Sequence, residues 1–326
     1  MTPGGGPRAI LFDAEGADRE VPFDAEATEG LKEDQLLWVD ADRSAAGKVT
    51  DAIAEALGLA PADIERVSAT TGRARLVRTS RHIHLTLHTL EPAEASGDPV
   101  STELDILAGR NIVVTIHDGA SSAIGRYLDG LTGDTRLGTA SAADLLSSLV
   151  DEVINGYFAV IESIGRDIDR LDTVALKGAD EERLLQAIVD VRRRIAAMRR
   201  LVAPHRDALA ALARPELQVE GALGQPWPGL VDRLERVLDA IDGLRDALLG
   251  TFDLHMARAA QSTNDVMKAL TLLSAVLLPA ALVAGIMGMN FPLPMFDEPG
   301  NFWFVLVAMV VLAAAILGFA RFRRWI

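Results

Sequence analysis

The sequence predicts an α+β soluble domain of the α/β/α sandwich type, followed by a long stalk helix and two C-terminal transmembrane helices. Three observations predict it. Strand and helix signals interleave over the first 120 residues. From Ser141 onward the apolar residues recur four and three apart, the spacing of helices packed side by side. Near the C-terminus, residues 269–287 and 302–320 form two runs of 19 residues without a charge. Each run is close to the roughly 20 apolar residues that cross a bilayer core as a helix. The expected division is 1–139 for the α/β domain, 140–268 for a helical hairpin and stalk, and 269–326 for the two-helix membrane domain.

Residues 1–7 are rich in Gly and Pro and lack an apolar core or cleavage pattern, so they read as a flexible tail and not a signal peptide. Residues 9–12 and 36–39 have the short apolar character of strands. Residues 44–57 read as a helix with Ser44 as its cap. Residues 76–87 read as a strand. Residues 104–107 and 112–116 read as a strand pair turning at Gly109-Arg110-Asn111. No dinucleotide-type glycine loop accompanies them.

In the helical part, Val150, Ile154, Tyr157, Ile161, Ile164, Ile168 and Leu171 make one seam. Gly178 marks a turn. A second helix is expected over 180–202, interrupted or kinked at Pro204. Its arginines at 192, 193, 194, 199 and 200 alternate with Val189, Val191, Ile195 and Met198, so they read as a solvated or salt-bridged helix face. After a Gly/Pro break at 221–228, Leu230, Leu234, Val237, Ile241, Leu244 and Leu248 resume the spacing. No proline intervenes between Gly229 and Pro279. One helix can therefore run from 229 to 287, roughly 85–90 Å at about 1.5 Å per residue. Beyond Leu248 its seam turns polar at Thr251, His255, Ser262 and Asn264. That is odd for a lipid anchor, and sensible for a face that meets water or symmetry mates.

Lys268 precedes the first span, and Arg321, Arg323 and Arg324 follow the second. The loop between them has no Lys or Arg and carries Asp297 and Glu298. Positive residues favour the cytoplasmic side, so both termini are expected in the cytoplasm of an inner or plasma membrane, with the loop outside. The absence of cysteine suits a reducing compartment. The net charge is −14. That argues against a nucleic-acid partner, which needs basic surface. An acidic domain can concentrate cations, or simply stay soluble. No nucleophile–base pair, phosphate loop or specific metal-ligand cluster suggests an enzyme, and no resident cofactor is expected.

Gly288-Met289-Asn290 sits at the mouth of the first span. An asparagine there offers a neutral oxygen and no charge with which to trap an ion. It also suits a helix C-cap. His82, His84 and His88 alternate along one strand with apolar residues between. Histidines two apart can chelate zinc, but a strand with one polar face explains the pattern as well.

Taken together, Leu37-Trp38-Val39-Asp40, Asn111-Ile112-Val113-Val114-Thr115-Ile116-His117, Asn264-Asp265-Val266-Met267-Lys268-Ala269-Leu270-Thr271, residues 279–291 and Arg323-Arg324-Trp325-Ile326 resemble the CorA family of divalent cation channels. The resemblance spans nearly the whole chain. It implies a homopentamer in the membrane lipid, with a cytosolic α/β domain and a stalk helix running into the pore. It implies transport of Mg²⁺, with Co²⁺ and Ni²⁺ as further cargo. Met198-Arg199-Arg200-Leu201-Val202-Ala203-Pro204-His205-Arg206-Asp207 is more similar to the zinc-transporting ZntB branch, so Zn²⁺ stands as an alternative. The external loop differs from both branches: Pro292-Leu293-Pro294-Met295 stands where the magnesium branch often has Met-Pro-Glu-Leu. The family's cytosolic regulatory metal site is not carried over. Its nearest match is Pro61-Ala62-Asp63-Ile64-Glu65-Arg66, with Arg66 in place of an aspartate.

The resemblance assigns the selectivity filter to Gly288, Met289 and Asn290. Mg²⁺ releases its waters reluctantly, and five Asn290 amide oxygens with the carbonyls of Gly288 and Met289 can bind the hydrated ion. Asn290 is the expected metal-contacting residue. Ala280, Ala281, Ala284, Gly285 and Gly288 are small and three or four apart, as in closely approaching membrane helices. Ala281 occupies the place of a pore-facing threonine. Met267, Leu270 and Ser274 follow one another at helical spacing, with Asn264 as a second polar ring. Met267 and Leu270 can close a path by dewetting, or simply pack. Asp297 and Glu298 can attract cations at the entrance, or merely solvate the loop. A membrane-anchored metal-sensing scaffold is the competing function.

Overall fold

The computed structural model describes residues 7–13, 18–23, 28, 31–32, 34–70, 72–79, 81–93, 97–119, 121–130, 141–177, 181–213, 227–289 and 300–323. It divides into two compact units, Met1–Thr251 and Phe252–Ile326.

The first unit is built on a seven-stranded sheet. Its strands are β1 (Arg8–Asp13), β2 (Arg19–Val21), β3 (Gln35–Asp42), β4 (Arg75–Arg78), β5 (Ile83–Glu91), β6 (Val100–Ala108) and β7 (Ile112–His117). Their order is β2-β1-β3-β7-β6-β5-β4. Only the central β3–β7 pair is parallel. Alternate residues of β3 enter different cores, as the two-residue strand period requires. Leu37 and Val39 join Val49, Ile53 and Leu57 of helix α1 (Ala46–Leu57) and Val67 of α2 (Pro61–Ser68). Leu36 and Trp38 join residues of α3 (Ser122–Gly130), α4 (Ala142–Lys177) and α5 (Glu181–Leu212). The sheet is therefore covered by helices on both faces, the expected α/β/α sandwich. Trp38 is fully buried, with its indole Nε1 donating to Thr115 Oγ1 at 3.1 Å.

Helix α6 (Trp227–Met287) contributes Trp227, Leu230, Leu234, Val237, Ile241 and Leu248 to the same core. The four–three seam of α4 is buried at Val150, Ile154, Tyr157, Ile164 and Ile168. Gly156 lets this helix approach the sheet, since a Cβ there would lie 2.8 Å from the Leu90 carbonyl oxygen. The arginine run of α5 divides. Arg194 turns inward and pairs with Asp167 of α4 at 2.6 Å, whereas Arg199 reaches Asp242 at an exposed surface.

Three local expectations change. Residues 76–87 form two strands, not one. β4 and β5 pair antiparallel around a turn in which the Thr79 and His82 backbones bond at 2.9 Å. Ser44 lies in a short 3₁₀ turn, Arg43–Ala45, and it is Asp42 whose carboxylate caps that turn by accepting the Ser44 N–H. Helix α5 also runs on past Pro204 to Leu212. Proline removes one backbone donor and leaves the carbonyl four residues earlier without its partner. Here that residue is Arg200, and the helix continues through it.

The second unit contains the end of α6 and helix α7 (Gly300–Phe322). Both are long and apolar enough to cross a membrane, and neither span is buried within the protein. Trp303, near the start of α7, is 65% exposed.

Candidate pore face and the polar network of the sheet

The end of α6 has two distinct sides. Lys268, Leu272, Val276, Pro279, Ala280, Val283 and Met287 are partly covered. On α7 the same is true of Val305, Met309, Ala313 and Ile316, with Ala320 buried. These spacings are helical, so each helix of this unit has one partly covered side and one open side.

Met267, Leu270, Ser274, Ala281, Gly285 and Gly288 are exposed. At about 100° per residue they fall within about 40° of one line, on the side of α6 opposite its covered stripe. Asn264 is also exposed, but stands about 100° around from the centre of that line. It therefore lies outside the stripe, to one side of it. The stripe carries no charge. It is bulky at Met267 and Leu270, then small from Ser274 onward.

At the end of the helix, Gly288 donates its N–H to the Ala284 carbonyl at 2.9 Å and Met289 to Ile286 at 3.2 Å. A Cβ on Gly288 would come within 3.4 Å of that Ala284 oxygen. Asn290, Asp297 and Glu298 lie outside the described residues. Below the span, Asp265 accepts from Lys268 Nζ and from Gln261 Nε2, each at 3.0 Å, and these bonds hold its carboxyl below the usual range.

His82, His84 and His88 do not converge. His82 Nδ1 lies 2.9 Å from the Leu57 carbonyl and His84 Nε2 lies 2.7 Å from Asp105 Oδ1. His88 Nε2 is 3.6 Å from Glu103 Oε2. Among the described residues no group of three His, Asp or Glu is placed to hold a metal ion. Instead they belong to a structural network. Arg43 pairs with Asp105 at 2.9 Å and Asp118 at 3.1 Å, and donates to the Val67 carbonyl at 2.8 Å. Burial raises the Asp105 carboxyl, but the hydrogen bonds from His84, Thr86 and Arg43 outweigh it and leave it ionised below its ordinary value.

A second network fastens the sheet to the helices. β4 stops pairing with β5 at Arg75–Thr86, so His88 has no strand on that edge. Side chains take its place. His205 Nε2 of α5 accepts the His88 N–H at 2.8 Å, and Tyr157 of α4 donates to the His88 carbonyl at 2.6 Å. His205 must then carry its proton on Nδ1, which lies 3.2 Å from the Val202 carbonyl. Burial first, and the neighbouring His88 second, push His205 down to about 3. His205 lies within the ZntB-like segment of the sequence. Its role as a substitute strand partner depends on where β4 ends, which no pattern in that segment reveals.

The segment 61–66 is also accounted for. Asp63 accepts the Ala60 N–H at 2.9 Å and pairs with Arg66 at 2.5 Å. Its carboxyl oxygens serve the start of α2.

Residues 33–324 match the family model described as CorA-like Mg2+ transporter protein. The chain belongs to the CorA family of divalent-cation transporters. It is 22% identical over 293 residues to the cobalt/magnesium transport protein CorA of Thermotoga maritima, covering 89% of this chain and 83% of that protein. It is 26% identical to the divalent cation transporter CmaX of Pseudomonas aeruginosa over 331 residues, covering 97% of this chain and 93% of the relative. Its fold is similar to the complete structure of the CorA magnesium transporter from Methanocaldococcus jannaschii. There the TM-score is 0.67 and the identity 21%, with 98% of both chains covered. In this CorA-family chain the soluble α/β unit, the long helix and the two apolar C-terminal helices agree with that architecture.

Proposed function

We propose that this protein conducts hydrated Mg²⁺, with Co²⁺ and Ni²⁺ as further cargo, through a pore lined by α6 from five copies of the chain. The reading is supported above all by one observation: the uncharged stripe from Met267 to Gly288, exposed on the side of α6 opposite its partly covered one. A single chain leaves that stripe with nothing to face. Five copies around an axis turn it toward a shared conduit.

In this reading Gly288, Met289 and Asn290 form the selectivity filter, with the Asn290 amide oxygens meeting the ion's water shell. Octahedral Mg²⁺ keeps several waters, so neutral oxygens select it without stripping it. Ser274 and Ala281 line the passage. Met267 and Leu270 form an apolar ring that closes by dewetting, with Asn264 at its edge. Asp297 and Glu298 raise the cation concentration outside. Both termini lie in the cytoplasm of the inner membrane, as the basic residues flanking the spans direct.

Purified protein in liposomes tests this. Asn290→Ala is expected to lower Mg²⁺ flux at least tenfold, or to abolish its preference over larger ions. Wild-type rate and selectivity in that variant would sink the filter assignment. The zinc alternative rests on the ZntB-like segment around His205. Comparing Mg²⁺, Co²⁺, Ni²⁺ and Zn²⁺ flux with and without a pH gradient separates the two. A monomeric mass in detergent would favour the membrane-anchored scaffold.

A further inference from the structure

Beyond the parallel β3–β7 ladder, the chain leaving β7 is tied by charged side chains to the end of β3 and to the 3₁₀ turn that follows it. Asp42 Oδ2 accepts the Gly119 N–H at 2.9 Å, and Arg43 Nε donates to Asp118 Oδ1 at 3.1 Å. His117, the last residue of β7, makes the third tie, to Asp40 of β3. Of these side chains only histidine ordinarily changes charge between about pH 5 and about pH 8.

The buried His117 ring stands between two acceptors. Its Nδ1 lies 2.6 Å from the Gly119 carbonyl oxygen, and its Nε2 lies 3.2 and 3.4 Å from the two carboxylate oxygens of Asp40. Neither a carbonyl nor a carboxylate has a proton to give, so only an imidazolium, with an N–H at both positions, meets both. Asp40 is held in that role from its other side. The Trp38 indole donates to Thr115 Oγ1 at 3.1 Å, which sends the Thr115 hydroxyl proton to Asp40 Oδ1 at 2.5 Å. A neutral His117 loses one of its two bonds. With the proton on Nδ1, a bare lone pair faces the Asp40 carboxylate. With the proton on Nε2, the Gly119 carbonyl goes unmet, and a buried unmet acceptor is costly.

The neighbouring elements bring no second control. β6 sets Leu104 opposite His117, and Asp105, opposite Ile116, lies on the other face of the sheet and binds Arg43. Glu91 of β5 accepts the Ser122 N–H at 3.0 Å. On α3 and α4, Arg126 pairs with Glu152 at 3.2 Å and Asp144 accepts the Ser141 N–H at 2.8 Å. Asp129 is exposed at the far end of α3. Burial pushes the Tyr127 phenol up to about 12, so it stays neutral. The carboxylates that act on His117 are those of Asp40 and Asp42. Burial works against its charge, but the Asp40 bond and charge, the Gly119 carbonyl and Asp42 outweigh it and lift the imidazole above its ordinary value.

We propose that the His117 imidazolium is a pH-sensitive latch, which holds the chain leaving β7 against the end of β3 and releases it as the pH rises past neutrality. Protonation is favoured by folding here, so the stabilisation is complete below about pH 6.5, the ordinary histidine value, and fades as the pH climbs through the higher folded value. Release is local. The paired strands keep their backbone bonds, and the Gly119 tie and the start of α3 open more often. The latch does not rest on the transport reading, since it is measured without ion flux.

Amide hydrogen exchange on the full-length protein in detergent tests this. Protection of the segment 117–125 is followed by mass spectrometry from about pH 6 to about pH 9, with the intrinsic rise of exchange divided out, and compared with that of β6. In the wild type the segment should lose at least about threefold in protection over that range while β6 keeps its own, a change carried by one proton. His117→Gln should be poorly protected at both ends of the range, near the level the wild type reaches at high pH. Asp40→Asn offers an amide N–H to a neutral Nε2 and still accepts from Thr115. It should keep the protection and lose its dependence on pH. Should one variant lose protection in β6 as well, the other variant and the wild-type profile decide. The proposal is overturned if protection of the wild-type segment does not change with pH, if β6 loses protection in step with it, or if the pH dependence survives in a folded variant.

Discussion

The two units of this chain solve burial in opposite ways. The first encloses its apolar residues and its polar ones alike. Trp38, Leu104 and Ile106 are fully buried, and so are Asp105, His84 and Thr115, each with a partner. The second encloses almost nothing. Leu278 is 70% exposed and Phe304 68%, on helices whose spans are uncovered. A domain with its own core can fold in water alone. A pair of helices with apolar surface on every side takes its stability from its surroundings, which for an apolar span means lipid and, in the proposed pore, further copies along the stripe.

The contrast can be broken at four places. The largest effect is expected from Asp167→Ala, which leaves the buried Arg194 cation without its partner. That should cost about 3–5 kcal/mol in urea unfolding followed by circular dichroism. A loss under about 1 kcal/mol would mean that the soluble unit is not held together from within.

Next comes acid. His205 titrates near 3 in the folded protein against about 6.5 when unfolded, so its neutral form is favoured by folding. The stability it protects is complete above about pH 6.5 and is lost as pH falls toward the folded value. By about pH 5 this amounts to roughly 2 kcal/mol. His205→Gln keeps an acceptor for the His88 N–H and cannot titrate. It should therefore flatten the acid limb of a stability–pH curve. An unchanged slope would remove His205 as its cause.

The third concerns the stripe. Ala281→Leu should reduce Mg²⁺ flux at least tenfold if the proposed pore is right, because the added bulk would enter its passage. Val311→Leu, on the exposed surface of α7, should transport normally. Equal flux in both would erase the distinction between the two sides of the membrane unit. The smallest effect is expected at Arg206, whose ion pair with Glu235 is half-exposed. Arg206→Ala should leave the urea midpoint within error, since surface pairs contribute little. A clear shift would show that the rim of the soluble unit bears more of its stability than its interior suggests.

The legibility of the chain follows the same divide. Periodicity carries the helices: the seam of α4, the long α6 and the two spans are all visible as spacing, because burial on one side leaves a 3.6-residue imprint. The central strands are visible too, since fully buried strands are continuous apolar runs. The boundary between β4 and β5 is hidden. Its turn uses Thr79 and His82, without the Gly, Asn or Pro that usually punctuates a chain. Helix α2 has its signal, Pro61 at the first position with Asp63 two residues on, but the same residues invite comparison with a metal site and the helix is easily passed over. Pro204 misleads in the other direction, because the helix runs through it to Leu212. Of the exposed stripe, Met267, Leu270 and Ser274 can be named from spacing, and Ala281 from the family resemblance. Which side of α6 is left open cannot, since that depends on where α7 lies. Asn264 shows the limit: it is grouped with the series by sequence and lies outside the stripe by angle.

The placement of the tryptophans has a practical consequence. Trp38 and Trp227 are sealed in the first unit, and Trp303 stands open on α7. The chain thus carries separate native fluorophores for its two environments. With Trp325 removed, Trp303→Phe would leave an emission that shifts red only when the sandwich opens. A chain keeping Trp303 alone would be quenched by brominated lipid and indifferent to urea until the helix leaves the bilayer.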